Sequence, residues 1–64
     1  MMSLAATMKV LDLPPGYYAV RLRRHWTCAK WEPSRETWVA QSARRKGVFE
    51  YDADYWDEVA ERVA

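Results

Sequence analysis

One histidine, His25, and one cysteine, Cys28, are the only residues here with the chemistry of a base beside a thiol nucleophile. Three positions apart, they fall out of phase on a strand, whose faces alternate with a period of two. No third group stands at a spacing that would orient the imidazole, as nucleophilic catalysis requires. The pair therefore reads as a small apolar thiol near a polar loop histidine. A lone cysteine excludes an internal disulfide, and one histidine with one cysteine is too few soft ligands for a zinc site within one chain. The acids cluster near the C-terminus, where solvation and charge pairing explain them without general acid–base work. With two glycines there is no Gly-rich phosphate loop. The expectation is a non-catalytic protein with no metal and no cofactor.

The residues with more to offer are aromatic and basic. Alternation along the first strand puts Tyr17, Arg21 and Arg23 on one face. Trp31 and Trp38 flank a hairpin turn and can join that face, because the sequence leaves the register open. An aromatic plane stacks on a base or ring, and a guanidinium chelates phosphate or carboxylate. Tyr17, Arg21, Arg23, Trp31 and Trp38 are thus the candidate binding site for a small nucleotide-like anion. The competing reading makes the tryptophans core or subunit interface and the arginines a solvated face.

Charge is unevenly spread although the net value is +1. Up to Phe49, nine basic residues outweigh Asp12, Glu32 and Glu36; from Glu50 onward six acids face Arg62 alone. Basic residues interleaved with aromatics resemble a single-strand nucleic-acid surface. An isoelectric point near 7.9 and the acidic C-terminal segment argue against it, so nucleic acid is not the expected partner. The acidic segment supports another reading, in which Asp57, Glu58 and Glu61 dock on a protein partner.

The elements that would position these groups follow from periodicity. Met1–Thr7 shows none and is expected to be a disordered extension, with a single domain over 8–64. Pro14-Pro15-Gly16 sets a turn. Strands are expected over Tyr17–Arg23, Trp26–Glu32, Thr37–Ser42 and Val48–Tyr51, with Pro33-Ser34-Arg35-Glu36 as a hairpin turn. Trp56, Val59, Ala60 and Val63 recur at the spacing of one helical stripe, with Asp52 or Asp54 as the cap. The expected fold class is α+β: a small antiparallel β-meander of three to four strands with one C-terminal amphipathic helix.

A chain of 64 residues buries a marginal core. It has four Trp, four Tyr and one Phe, and one helix covers only one face of a sheet. The uncovered aromatic face predicts a homo-oligomer, most simply a dimer. No apolar run is long enough to span a membrane. Met1–Met8 lack the features of a secretory signal, and with a free thiol the cytoplasm is the expected compartment.

The run Gly16-Tyr17-Tyr18-Ala19-Val20-Arg21, then Trp26-Thr27-Cys28-Ala29-Lys30-Trp31, then Trp38 and an acidic aromatic C-terminus, resembles the short accessory proteins of tailed phages and prophages. The resemblance covers about Met8 to the end and departs at Ala19, where an aromatic is common. It implies a bacterial host cytoplasm and a role in blocking host defence. That role is either sequestering a nucleotide-derived signal or binding a host protein. The first is the leading expectation and a protein–protein inhibitor the alternative.

Overall fold

The computed structural model describes residues 10–42 and 45–63, apart from the side chain of Glu61. The expected extension Met1–Thr7 and the start of the domain at Met8 lie outside the described residues. A single 3-10 turn, Val10–Asp12, precedes five strands: β1 (Gly16–Leu22), β2 (His25–Glu32), β3 (Thr37–Gln41), β4 (Val48–Asp52) and β5 (Glu58–Arg62). They form one antiparallel sheet in the order β4-β3-β2-β1-β5. No helix among the described residues is long and apolar enough to cross a membrane.

The first four strands follow the alternation of the sequence to within one residue at each end. Two hairpins fix their register. Between β1 and β2 the turn is only Arg23-Arg24, closing on the pair Leu22–His25. Between β2 and β3 the amides of Arg35 and Glu36 bond to the carbonyls of Glu32 and Pro33, and Glu36 takes a left-handed φ of 51° to complete the reversal.

The C-terminal segment is the correction to the expected α+β class. Residues 58–62 form a strand, and the fold is all-antiparallel β with no C-terminal helix. The helical spacing of Trp56, Val59, Ala60 and Val63 fits a strand and a connection equally well, an ambiguity inherent in short apolar runs. Two forces decide for the strand. The free edge of β1 carries backbone groups that need partners, and Val59 opposite Val20 supplies both a ladder and an apolar contact. Val59 and Val63 are β-branched, which disfavours a helix and suits a ladder.

The connection from β4 to β5 makes the sheet curl. The outer strands of a flat five-stranded sheet lie roughly 19 Å apart, at 4.7–4.9 Å per neighbour. β4 and β5 also run in the same direction, so residues 53–57 must cross that gap and travel back along a strand length. A turn shortens them further, with the Tyr55 amide bonded to Asp52 O at 3.1 Å. Only a sheet rolled on itself brings the ends within reach. The Trp38 indole donates to Ala53 O at 3.0 Å and the Asp57 amide to Arg21 O at 2.8 Å, tying the connection at both ends.

Rolling gives the sheet an inside. Tyr18 and Val20 of β1, Ala29 and Trp31 of β2, Trp38 and Ala40 of β3 and Val59 of β5 are buried there with Leu13. Trp31 and Trp38 sit with ring centroids 4.9 Å apart, and Tyr18 meets Trp38 edge-on at 5.8 Å. The Tyr18 hydroxyl reaches past the apolar core to donate to Pro14 O at 2.7 Å. The curl therefore covers the aromatic face within one chain, and a dimer is not needed for that purpose.

Candidate functional site

The core does not fill the inside of the curl. Along β2 the inward residues Ala29 and Trp31 are buried, but Thr27 and His25, on the same side nearer the Arg23-Arg24 turn, are exposed. Past Val20 and Ala29 the inward residues are the half-buried Leu22 and the exposed Thr27 and His25, and a groove of about 810 Å³ opens at that end. Leu22 and Thr27 line it together with four aromatic residues, Trp26, Tyr51, Tyr55 and Trp56, and the polar residues Arg23, His25, Gln41 and Ser42. The volume lies within the range of small-molecule sites.

Three of the rings support one another. Tyr51, from β4, packs against Tyr55 at 4.5 Å and Trp56 at 5.4 Å between centroids, and Tyr55 meets Trp56 edge-on at 4.9 Å. Tyr51 is anchored by its ladder pairing with Trp38, and the connection threads Tyr55 and Trp56 past it. The fourth ring, Trp26, stands 48% exposed next to the β1–β2 turn. The Trp56 indole N–H, in this wall, has no acceptor among the described residues.

Arg23 enters from a constrained position. A two-residue hairpin turn favours Gly, Asn or Asp wherever φ is positive, yet Arg23 holds φ at 57°. Its amide donates to Asp57 Oδ2 at 2.7 Å, and its carbonyl accepts from the Arg21 guanidinium. Its own guanidinium has no ion-pair partner among the described residues. No acid is among the described residues that line the groove, while Arg23 and His25 are. The nearest carboxylate chemistry is already committed, Asp57 to Arg23 N and Glu58 to Arg21 Nε at 3.2 Å.

The five residues expected to form the site are split by the register. Tyr17 pairs with Lys30 and Arg21 with Trp26 on the outer face, where Tyr17 is 46% exposed. Trp31 pairs with Gly16 and Trp38 with Trp31, which puts both indoles on the inner face with Tyr18, at 0% exposure. They are core and do not join Tyr17, Arg21 and Arg23. Arg21 is occupied by Glu58 and lies 3.9 Å from Asp57. Of the five, Arg23 alone lines the groove. The acidic docking helix of Asp57, Glu58 and Glu61 is absent: Asp57 ends the connection, Glu58 begins β5, and the Glu61 side chain lies outside the described residues.

Four lining rings escaped the sequence reading as site residues. The alternation of β2 puts Trp26 with Cys28 on the outer side, and the two-residue turn beside it leaves Trp26 half exposed. Trp56 was absorbed into a helical stripe. The recoverable signal was the density of Tyr51, Tyr55 and Trp56 around a segment rich in aspartate, a composition poor for helix. His25 and Cys28 face opposite sides of β2, paired with Leu22 and Ala19, so they form no dyad. No cluster of three or more potential metal ligands occurs among the described residues. Burial raises the Tyr18 hydroxyl above the ordinary phenol value, partly opposed by Arg62. Compared with known proteins, the chain matches no family model, no curated protein and no solved structure.

Proposed function

We propose that this chain is a non-catalytic binding protein whose groove holds a small anionic ligand bearing a flat ring, of the nucleotide-derived class. One observation carries the reading: four aromatic residues together with Arg23 and His25 line a groove that has no acid among its described lining residues. Exposed indole and phenol faces suit a heterocycle, and the guanidinium suits the phosphate or carboxylate attached to it. The nucleotide-like chemistry expected from Tyr17, Arg21, Arg23, Trp31 and Trp38 is kept here, but the residues that supply it change. In the phage-accessory setting that the sequence resemblance implies, the ligand is a host-defence signal and the action is sequestration.

Tryptophan fluorescence tests this. Titration with a panel of mononucleotides, cyclic nucleotides and ADP-ribose is expected to quench emission saturably with at least one member, through Trp26 and Trp56. Substituting Trp26→Ala lowers that affinity about tenfold, the lower part of what one stacked ring supplies. No saturable change with any member at millimolar concentration contradicts the proposal.

A further inference from the structure

We infer that the Arg23-Arg24 turn is the anion clamp of the groove, with Arg23 as the binding residue and Asp57 as the residue that positions it. This rests on the ligand reading above and goes beyond it by assigning which group meets the charge and how it is held. The turn has two residues, the tightest hairpin connection in common use, and its first residue sits at a φ of 57° where Gly would sit without strain. An L-residue there costs free energy that the sequence could have avoided. Strain of this kind persists where the surroundings hold it and where the side chain has a use. Both conditions are met. Asp57 Oδ2 takes the Arg23 amide at 2.7 Å, the Arg21 guanidinium takes its carbonyl, and Arg21 is itself fixed by Glu58. What this arrangement delivers is an exposed arginine among the residues that line the groove, its guanidinium with no ion pair of its own among the described residues.

Arg24, the second residue of the turn, is exposed and does not line the groove. It therefore separates a local clamp from diffuse positive charge. The long-range field of Arg24 is screened within about 8–10 Å at ordinary ionic strength, whereas Arg23 touches the space the ligand would fill.

The test uses two dyes with the same rings, anilinonaphthalene sulfonate and the uncharged phenylnaphthylamine, so that the anion is the only difference. Wild-type protein is expected to prefer the sulfonate at least about tenfold, as one charge-assisted hydrogen bond supplies. Arg23→Gly abolishes that preference while binding of the neutral dye stays within about twofold, and its melting temperature equals or exceeds the wild-type value because the turn is relieved of strain. Arg24→Ala keeps the preference. Asp57→Ala reduces it, and adding Asp57→Ala to Arg23→Gly reduces it no further, since a positioning residue acts only through the group it positions. If both dyes bind and Arg23→Gly leaves the preference intact, or if Arg24→Ala removes it equally, the clamp is overturned and the groove stands. A marked fall in the melting temperature of Arg23→Gly would overturn the strain argument. If neither dye binds the wild type, the groove reading fails and takes the clamp with it.

Discussion

Trp31–Trp38 and Tyr55–Trp56 are neighbouring aromatic pairs with the same centroid separation, 4.9 Å. The first pair is fully enclosed: both indoles project from paired strands into the curl, and Trp38 donates to Ala53 O. The second pair lies on the connection between β4 and β5, outside any ladder, and Tyr55 keeps 39% of its surface exposed. Ring spacing does not separate the two. What separates them is whether a strand ladder fixes the backbone beneath the ring and whether the opposite wall of the curl closes over it. At the Tyr18 end it closes; at the Arg23 end the inner residues are the half-buried Leu22 and the exposed Thr27 and His25, and the facing wall does not close over them.

The sharpest way to break this contrast is to truncate one ring of each kind. Trp38→Ala opens a cavity beside Trp31 and Tyr18 and strands the Ala53 carbonyl, so about 3–5 kcal/mol of stability is lost, enough to unfold most of a chain this small. Urea denaturation followed by circular dichroism reads it. Trp26→Ala, on the half-exposed ring, is expected to change the unfolding free energy by only about 0.5 kcal/mol, as for a surface position. Comparable losses for the two variants would erase the distinction between core and groove.

A smaller effect sharpens the closed end. Tyr18→Phe removes the hydrogen bond to Pro14 O and costs about 1 kcal/mol at neutral pH. Its pH dependence follows from the raised pKa of the hydroxyl. The folded state holds the phenolic proton more tightly than the unfolded state, so the stabilisation is complete below the unfolded value of about 10. It is lost as pH rises through the higher folded value. Denaturation of wild type and Tyr18→Phe between pH 9 and 11 should therefore converge toward the alkaline side. A further small effect is expected of Glu58→Gln. Its partner Arg21 is partly exposed, and the ion pair contributes under about 1 kcal/mol. A larger loss would mean that the Arg21 arrangement behind the turn is more rigid than a surface pair.

The four-strand meander was legible because alternation at Tyr18-Val20-Leu22 and Ala29-Trp31 has one explanation, and because Pro33 and Gly47 mark turns. Gly47 indeed takes a φ of 111°, where other residues are strained. β5 was not legible. Val59 and Ala60 belong equally to a helical stripe and to a strand, and the choice depends on the unpaired edge of β1, which is nonlocal. The expected grouping of Tyr17, Arg21, Arg23, Trp31 and Trp38 is split for a related reason. Strand phase alone puts Tyr17, Arg21 and Arg23 together, but the phase of Trp31 relative to β1 depends on whether the β1–β2 turn holds two residues or three. A one-residue slip moves Trp31 and Trp38 from one face to the other. With the turn at Arg23-Arg24 they face inward, and the aromatic residues that line the groove are Trp26, Tyr51, Tyr55 and Trp56.

That division can be read in a single spectrum. The chain has four tryptophans, so a nitrogen-15 correlation spectrum carries four indole N–H signals. On titration with the nucleotide that quenches fluorescence most strongly, the signals of Trp26 and Trp56 are expected to shift progressively, while those of Trp31 and Trp38 stay in place. Movement of Trp31 or Trp38 without Trp26 and Trp56, or four stationary indoles in the presence of bound ligand, would contradict the account.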